Sequence, residues 1–342
     1  MSQPVDLDRA LRPRLPSPLQ EVRDERFARH GLRLLLKRDD LIHPELPGNK
    51  WRKLAPNLRA AAGRTVLTFG GAYSHHLRAT AAAGRLLGFP TIGVVRGDEL
   101  AARPLNPSLA ACAADGMRLH FVDRATYRRV SDPEVLAELL ERCGAPEGCR
   151  VVPEGGSNAL AVRGCTELGR ELRGVADVAA VACGTGGTLA GLAAGLAYGL
   201  GDGPAAGPAA GPAAGLGNGP AAGLGHGPAA GLGDGARALG VPVLKGGFLG
   251  ERTAALQREA FGAKVGDWSL DERFHFGGYA RVPPALEAFA RDFEARHGLP
   301  VERLYVAKML YGLVALAGEG AFPPGTAVAA VITGGPQPEA SR

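Results

Sequence analysis

The chain of 342 residues, 46% apolar and 21% charged, has a globular composition and is long enough for one large domain or two of ordinary size. No apolar run approaches the length of a membrane span and the start lacks the apolar core of a signal peptide, so a cytoplasmic protein without a membrane partner is expected. The net charge of +5 comes from scattered arginines without a basic block, which argues against nucleic acid as a partner.

Short β-rich runs alternate with helical patterns along most of the chain. RTVLTF (64–69) predicts a buried strand and HHLRATAAAGRLLG a helix, and VADVAAVACG (175–184) and GTLAGLAAGLAYG repeat this order. Further strands are predicted in TIGVVRG, MRLHFVD, CRVVPEGG, VPVLKGG, ERLYV and TAVAAVITGG. The alternation predicts an α/β fold with largely parallel sheets, whose ligand site lies off the carboxyl ends of the strands.

Neither the repeats at 201–235 nor the cysteines indicate a binding site. Octads such as GPAAGLGN contain too much glycine and proline for a helix, a strand or a core, which predicts a flexible insertion without a part in function. The five cysteines include no CxxC pair and no metal-ligand spacing, so we expect buried free thiols and no metal.

CGTGGTLAGL (183–192) places glycines between a predicted strand and a predicted helix. Backbone N–H groups of such a loop and the helix N-terminus together form an anion site, most often for phosphate. The motif matches neither GxxxxGK[ST] nor GxGxxG, so a nucleotide site has little support, and a glycine turn without a ligand is the alternative. Hydroxyls of Thr185 and Thr188 favour phosphate.

GGAYSHHLRAT (70–80) is a second junction between a strand and a helix. Ser74 could be only an N-cap. His75 and His76 are adjacent and do not share a helix face, which argues against a metal site. A hydrolase of the α/β type needs a GxSxG elbow, and this stretch has none.

GNKWRKL (48–54) contains two lysines, Lys50 and Lys53. A lysine amine condenses with an aldehyde cofactor when it is partly desolvated and its pKa is lowered. An aldehyde that carries a phosphate also needs an anion-binding loop, which residues 184–188 could supply. The combination indicates pyridoxal 5'-phosphate, and the alternative is that Lys50 is an ordinary surface charge.

Eight segments in order resemble the family of 1-aminocyclopropane-1-carboxylate deaminase and D-cysteine desulfhydrase, which belongs to the tryptophan-synthase-β-like, fold type II group of pyridoxal-phosphate enzymes. The segments are KRDDLIHPELPGNKWRKL, TFGGAYSHHLRATAAAGRLLGFPTIGVVRG, VPEGGSNALAVRGCTEL, CGTGGTLAGL, VLKGGFL, FHFGGYARVPPAL, LYVAKMLYGL and ITGG. The resemblance implies a homodimer of two-domain subunits with mostly parallel twisted sheets. Residues 1–53 and 160–342 would form the larger, cofactor-binding domain and 54–159 the smaller one.

The same resemblance implies how the cofactor is bound. Lys50 would form the Schiff base with Asn49 beside it, while Lys53 would pair with a carboxylate or position the loop. His75 replaces an asparagine that meets the ring hydroxyl in relatives, and an imidazole N–H can donate the same hydrogen bond. The phosphate would be held by Gly184, Thr185, Gly186, Gly187 and Thr188.

Substrate contacts are implied for three further residues. Ser74 is expected near the substrate carboxylate, and Tyr279 and Tyr305 match tyrosines that flank the substrate in relatives. For each tyrosine a plain packing role is the alternative. With Lys50 these three complete the expected catalytic set.

Departures from the family pattern bear on the reaction. Deaminases of the cyclopropane substrate resemble one another in a glutamate near the pyridine nitrogen, where this chain has Val306 and many desulfhydrase-like relatives have threonine. Ile332 stands where relatives often have histidine. Thr333 could supply the polar contact to the nitrogen, and a neutral hydroxyl there leaves the ring a weaker electron sink, which suits β-elimination.

The sequence therefore predicts a pyridoxal-phosphate lyase that deaminates a small amino acid, most simply D-cysteine, by α,β-elimination to pyruvate, ammonia and sulfide. One alternative is a 1-aminocyclopropane-1-carboxylate deaminase, which opens the ring to 2-oxobutanoate and ammonia. An alternative of another class is a protein that binds pyridoxal phosphate without catalysis, because Val306, His75 and Ile332 all depart from the usual pattern.

Overall fold

A computed structural model of the chain describes residues 6–46, 48–198 and 235–335. The insertion predicted at 201–235 lies outside these residues except for Gly235. No helix in the three described ranges has the length and apolar character needed to cross a membrane. The strands form two sheets, which together confirm the predicted α/β class.

The larger sheet has six strands in the order β1-β2-β10-β7-β8-β9. Their bounds are Leu19–Val22 (β1), Arg33–Lys37 (β2), Val178–Cys183 (β7), Arg237–Pro242 (β8), Trp268–Leu270 (β9) and Ala327–Val331 (β10). β1 is antiparallel to β2, and every other neighbouring pair is parallel. All six residues of β7 are buried, because helices cover both faces of a parallel sheet.

The smaller sheet has four strands in the order β5-β4-β3-β6, and all of its pairs are parallel. Their bounds are Val66–Gly70 (β3), Thr91–Arg96 (β4), Arg118–Val122 (β5) and Arg150–Val152 (β6). These four strands fall within the range 54–159 that was expected to form the smaller domain. The division of the chain into domains at those boundaries stays a prediction.

Helices fill the connections between the strands. Their bounds are Leu7–Leu11 (α1), Glu25–Ala28 (α2), Asn49–Ala61 (α3), His75–Leu87 (α4), Pro107–Ala114 (α5), Arg124–Arg128 (α6), Pro133–Arg142 (α7), Ala159–Leu172 (α8), Gly187–Ala197 (α9), Leu249–Phe261 (α10), Pro284–His297 (α11) and Val306–Gly318 (α12). Short 3₁₀ turns cover Asp39–Leu41, Asp98–Leu100, Glu154–Gly156 and Glu272–His275. Glycines let α8 and α9 pack closely, since a Cβ at Gly195 would lie 1.9 Å from the Thr166 carbonyl oxygen.

Two predicted strands differ from the structure. ERLYV is not a strand: the Glu302 carboxylate accepts the backbone N–H groups of residues 304 to 306, and this cap starts α12 at Val306. The apolar run of VPVLKGG overlaps β8 only at Val241 and Pro242. A short apolar run has the same pattern in a strand and at the start of a helix, so the local sequence did not distinguish the two.

Candidate active site

One cavity of about 430 Å³ lies where the carboxyl ends of both sheets meet, a size within the ordinary range for small-molecule sites. The loops that follow β3, β6, β7 and β10 contribute to its lining, together with the first turn of α3. It brings together these predicted residues: Asn49, Lys50, Ser74, His75, Gly184, Thr185, Gly186, Thr188, Tyr279, Tyr305 and Thr333. Gly187 is buried at the first position of α9 and does not line the cavity.

Lys50 projects its amine into this cavity from the first turn of α3. Its Nζ donates to Asn49 Oδ1 at 2.6 Å, and Asn49 Nδ2 donates to Thr188 Oγ1 at 3.0 Å. Burial, together with the nearby charge of Lys53, lowers the pKa of Lys50 to about 7. A large fraction of the amine is therefore neutral and nucleophilic near neutral pH.

Gly48 lets α3 begin next to the end of β10. It has φ +66°, and a Cβ at this position would lie 1.7 Å from the carbonyl oxygen of Thr333. Any side chain would thus collide with the backbone of the strand end that also contributes Thr333 to the cavity.

Lys53 lies one helical turn after Lys50 and is buried against the glycine loop. Its Nζ donates to the Gly155 carbonyl at 3.1 Å, to Ser157 Oγ at 3.0 Å and to Thr185 Oγ1 at 3.4 Å. Among the described residues no carboxylate lies within 4.0 Å of this amine, so it positions the loops and does not pair with a carboxylate. The spacing of three from Lys50 is the sequence signal that could have placed it in the site.

The glycine loop joins β7 to α9 as predicted. α9 begins at Gly187, so its first N–H groups have no partner within the helix and point toward the loop. A Cβ at Gly186 would lie 2.5 Å from Thr253 Oγ1, a buried hydroxyl without a hydrogen-bond partner in the described ranges. Amides, hydroxyls and the Lys53 amine thus converge on one spot that suits an anion.

Ser74 and the two histidines start α4 at the carboxyl end of β3. Ser74 is the N-cap, and its Oγ accepts the Leu77 N–H at 3.2 Å. Burial, together with the charge of Lys50, lowers the pKa of His75 to about 4, so the imidazole is neutral and keeps one N–H to donate.

His76 also lines the cavity, which the sequence did not indicate. The Thr68 hydroxyl donates to the Val152 carbonyl at 2.8 Å, so it accepts from His76 Nε2 at 2.8 Å. This assigns the proton to Nε2 and leaves Nδ1 as a buried acceptor with no partner in the described part of the chain.

Tyr279 and Tyr305 form one wall of the cavity, with ring centroids 5.6 Å apart in an edge-to-face arrangement. Burial raises the pKa of both phenols, so both are neutral at physiological pH. Gly184 lets the second ring approach, since a Cβ there would lie 3.2 Å from the hydroxyl of Tyr305. Buried Lys308 fixes the loop of Tyr279 by donating to the carbonyls of His275, Gly278 and Tyr279 at 3.0, 2.7 and 3.2 Å.

Glu302 is a buried carboxylate that lines the cavity although the sequence did not single it out. Burial raises its pKa, while the N–H groups it accepts at the start of α12 and the charge of Lys50 favour the ionised form. Val306 packs in the core and does not line the cavity, whereas Thr333 does.

A buried network of ion pairs anchors α3 through Arg52. Arg52 donates to Asp39 at 2.8 Å through Nε and Nη2, and to Glu171 at 3.0 and 2.9 Å. Lys37 Nζ lies 2.5 Å from the same carboxylate of Glu171. Arg52 is two residues after Lys50, so the network fixes the helical turn that carries Lys50.

The fold and the site define an enzyme in which a desolvated lysine shares one cavity with a glycine loop suited to an anion, at the carboxyl ends of parallel strands. Residues 12–334 match the family model described as pyridoxal-phosphate dependent enzyme, and the chain belongs to this family.

Individual relatives carry names of two activities. The chain is similar to the bifunctional D-cysteine desulfhydrase/1-aminocyclopropane-1-carboxylate deaminase of Arabidopsis thaliana, with 34% identity over 48% of this chain and 45% of that protein. It is 37% identical to D-cysteine desulfhydrase of Yersinia pestis over 48% of this chain and 52% of that protein. The matches thus span about half the length of these curated relatives.

Two solved structures share the fold. A structure described as an ACC deaminase homologue aligns with a TM-score of 0.71 and 26% identity, over 98% of this chain and 95% of the other. Threonine deaminase isoform 2 of Solanum lycopersicum aligns with a TM-score of 0.60 over 96% of this chain and 82% of the other, at 14% identity, which shows the fold alone.

The residues present fit pyridoxal phosphate. The neutral amine of Lys50 suits an aldehyde carbon, and the loop at 184–188 with Lys53 suits a phosphate. The Thr253 hydroxyl, which has no hydrogen-bond partner in the described part of the chain, lies beside Gly186 and adds a buried polar group at the same loop. When bound, the cofactor supplies an electron sink for negative charge that develops at the substrate Cα.

Proposed function

We propose that this protein is a lyase that deaminates a small amino acid by α,β-elimination, with D-cysteine as the substrate that gives pyruvate, ammonia and sulfide. The observation that carries the proposal is the desolvated amine of Lys50, held in one cavity with the glycine loop and the tyrosine pair. The curated relatives named above support both this activity and the cyclopropane-carboxylate alternative.

The proposed work of the side chains follows from their positions. Lys50 Nζ, with its pKa near 7, takes the proton from Cα and holds it, while Asn49 Oδ1 orients the amine. The Ser74 hydroxyl binds the substrate carboxylate, and the neutral phenols of Tyr279 and Tyr305 bound the space around the leaving group. The Cβ–S bond then breaks with its electrons on sulfur, and the released 2-aminoacrylate takes up water to give pyruvate and ammonia.

Roles at the cofactor are proposed for the remaining residues. The N–H groups of residues 184–188 and the Lys53 ammonium hold the phosphate, and the neutral imidazole of His75 donates toward the ring hydroxyl. Thr333 lines the cavity whereas Val306 packs in the core, which supports a hydroxyl at the ring nitrogen and favours β-elimination over ring opening.

The test is turnover by the holoenzyme of D-cysteine, followed as sulfide and pyruvate, and of 1-aminocyclopropane-1-carboxylate, followed as 2-oxobutanoate. Lys50→Ala should abolish turnover and the visible absorbance of the lysine-bound cofactor, while Lys264→Ala, at an exposed lysine outside the cavity, should change neither. Ring opening faster than sulfide release would favour the deaminase. Cofactor absorbance without turnover of any amino acid would leave a non-catalytic binder.

The proposal includes a cytoplasmic homodimer with a two-domain subunit. All five cysteines are free thiols, which supports a reducing compartment. Light scattering of the purified holoenzyme tests the dimer, cell fractionation tests the compartment, and limited proteolysis near residues 54 and 159 tests the domain boundaries.

A further inference from the structure

Two charged side chains at the mouth of the cavity take no part in the elimination described above. Arg96 ends β4 with an exposed side chain, and Glu154 follows β6 and is half-buried. Within the described ranges, no carboxylate oxygen lies within 4.0 Å of the Arg96 guanidinium and no basic nitrogen within 4.0 Å of the Glu154 carboxylate. The cation and the anion therefore face the same opening without neutralising each other.

The position of Arg96 is restrained by its neighbours. Its guanidinium carbon lies 5.5 Å from the ring centroid of buried Tyr127, which is within the distance of a cation–π contact. Its Nη2 lies 3.4 Å from where a Cβ at Gly71 would be, so the charge rests against the loop that leads to Ser74. The charge is thus held beside the substrate end of the cavity.

Both charges act on the tyrosine wall. Burial raises the pKa of Tyr279, the Arg96 charge lowers it, and the Glu154 charge raises it. Arg96 and Glu154 line the same cavity as Tyr279, so a substrate bound there meets a cation and an anion in addition to the groups at the reacting carbon. D-cysteine has one carboxylate and one ammonium, both needed at the reacting carbon, and therefore has no further charged group for Arg96 or Glu154.

We propose that Arg96 and Glu154 bind the far end of a substrate whose sulfur-linked leaving group carries its own carboxylate and ammonium. The substrate class is an S-substituted cysteine, a thioether or disulfide that ends in a second amino-acid head. This inference rests on the proposed function and names its substrate class. The Cα proton goes to the base, and the Cβ–S bond breaks with its electron pair on sulfur. The leaving group is a thiolate from a thioether or a persulfide anion from a disulfide, and it takes up a proton. The remaining 2-aminoacrylate and water give pyruvate and ammonia.

Three cysteine derivatives separate the two contacts. S-(2-carboxyethyl)-cysteine carries only the distal carboxylate, S-(2-aminoethyl)-cysteine only the distal ammonium, and S-propyl-cysteine neither. Pyruvate formation from both enantiomers of each compound gives kcat/KM for the wild-type holoenzyme, Arg96→Gln and Glu154→Gln. Arg96→Gln should lower kcat/KM for the carboxyethyl compound by about tenfold, the typical effect of one charge-assisted hydrogen bond. Glu154→Gln should do the same for the aminoethyl compound, and neither variant should change the propyl compound.

Each outcome decides the inference. Equal kcat/KM for the three derivatives in the wild type would overturn it. An Arg96→Gln loss of kcat/KM that is equal for all three compounds and for D-cysteine would also overturn it, because Arg96 would then bind the α-carboxylate that all these substrates share. Turnover of D-cysteine in those cases leaves the proposed function standing. When no compound is turned over, the proposed function fails, and the inference is decided by dissociation constants of the same derivatives, measured by calorimetry. For each derivative, equal dissociation constants in the wild type, Arg96→Gln and Glu154→Gln reject the inference.

Discussion

Replacing Arg52 by methionine tests how strongly the buried network holds the helix of Lys50. The Arg52 side chain is 2% exposed and those of its partners Asp39 and Glu171 are 0% and 9% exposed. Methionine keeps much of the apolar volume but leaves Asp39 with the Ser17 hydroxyl as its remaining side-chain partner. Breaking a buried ion pair on one side costs about 3–5 kcal/mol, which corresponds to about two to four orders of magnitude in the folding equilibrium.

The assay is urea unfolding at fixed, saturating pyridoxal phosphate, followed by tryptophan fluorescence, to which Trp51 in the same helix and Trp268 contribute. Arg59→Met is the matched control, because Arg59 also lies on α3 but pairs with Asp8 through side chains that are 50% and 59% exposed. That pair should contribute less than about 1 kcal/mol. The reasoning is refuted when Arg52→Met lowers the free energy of unfolding no more than Arg59→Met does.

Two further predictions concern the start of α3. Gly48→Ala should abolish the visible absorbance of bound cofactor, because its Cβ would collide with the Thr333 carbonyl; Gly63→Ala, also at positive φ but with open space around it, should retain that absorbance. Cofactor capture by the apoenzyme should speed up as pH rises through about 7, where the Lys50 amine loses its proton. Lys53→Met removes a charge that lowers the pKa of Lys50, so the midpoint of the capture rate against pH should move to higher pH. An unchanged midpoint would contradict the effect of the Lys53 charge on this pKa.

Much of the fold follows from contiguous patterns. RTVLTF covers β3 except for Gly70, and TAVAAVITGG contains β10, because a short buried parallel strand has a nearly continuous apolar sequence. GTLAGLAAGLAYG contains α9, and the glycines before it predicted the anion-binding turn. The strands β1, β2 and β9 were not predicted. β1 and β9 have only four and three residues, which carry too little periodicity to stand out.

Candidate residues depended on a different kind of information. Lys50 was found through its motif and the glycine loop, and family resemblance added the role of Ser74; the structure brings both residues to one cavity, while their roles stay proposals. Glu302 was missed because ERLYV was taken for a strand, and its carboxylate instead caps a helix. No local pattern distinguishes these two settings for a single glutamate.

The sequence by itself determined the α/β class, the lysine motif and the glycine turn, because each is specified by residues that are neighbours in the chain. Tertiary structure decided which charges are paired and which are not. Arg52 lies in a buried network, while Arg96 and Glu154 come from different strand ends and face one opening without an ion pair in the described part of the chain. Desolvation and Coulomb interaction depend on distances in space, and those distances exist only once both sheets have packed around the cavity.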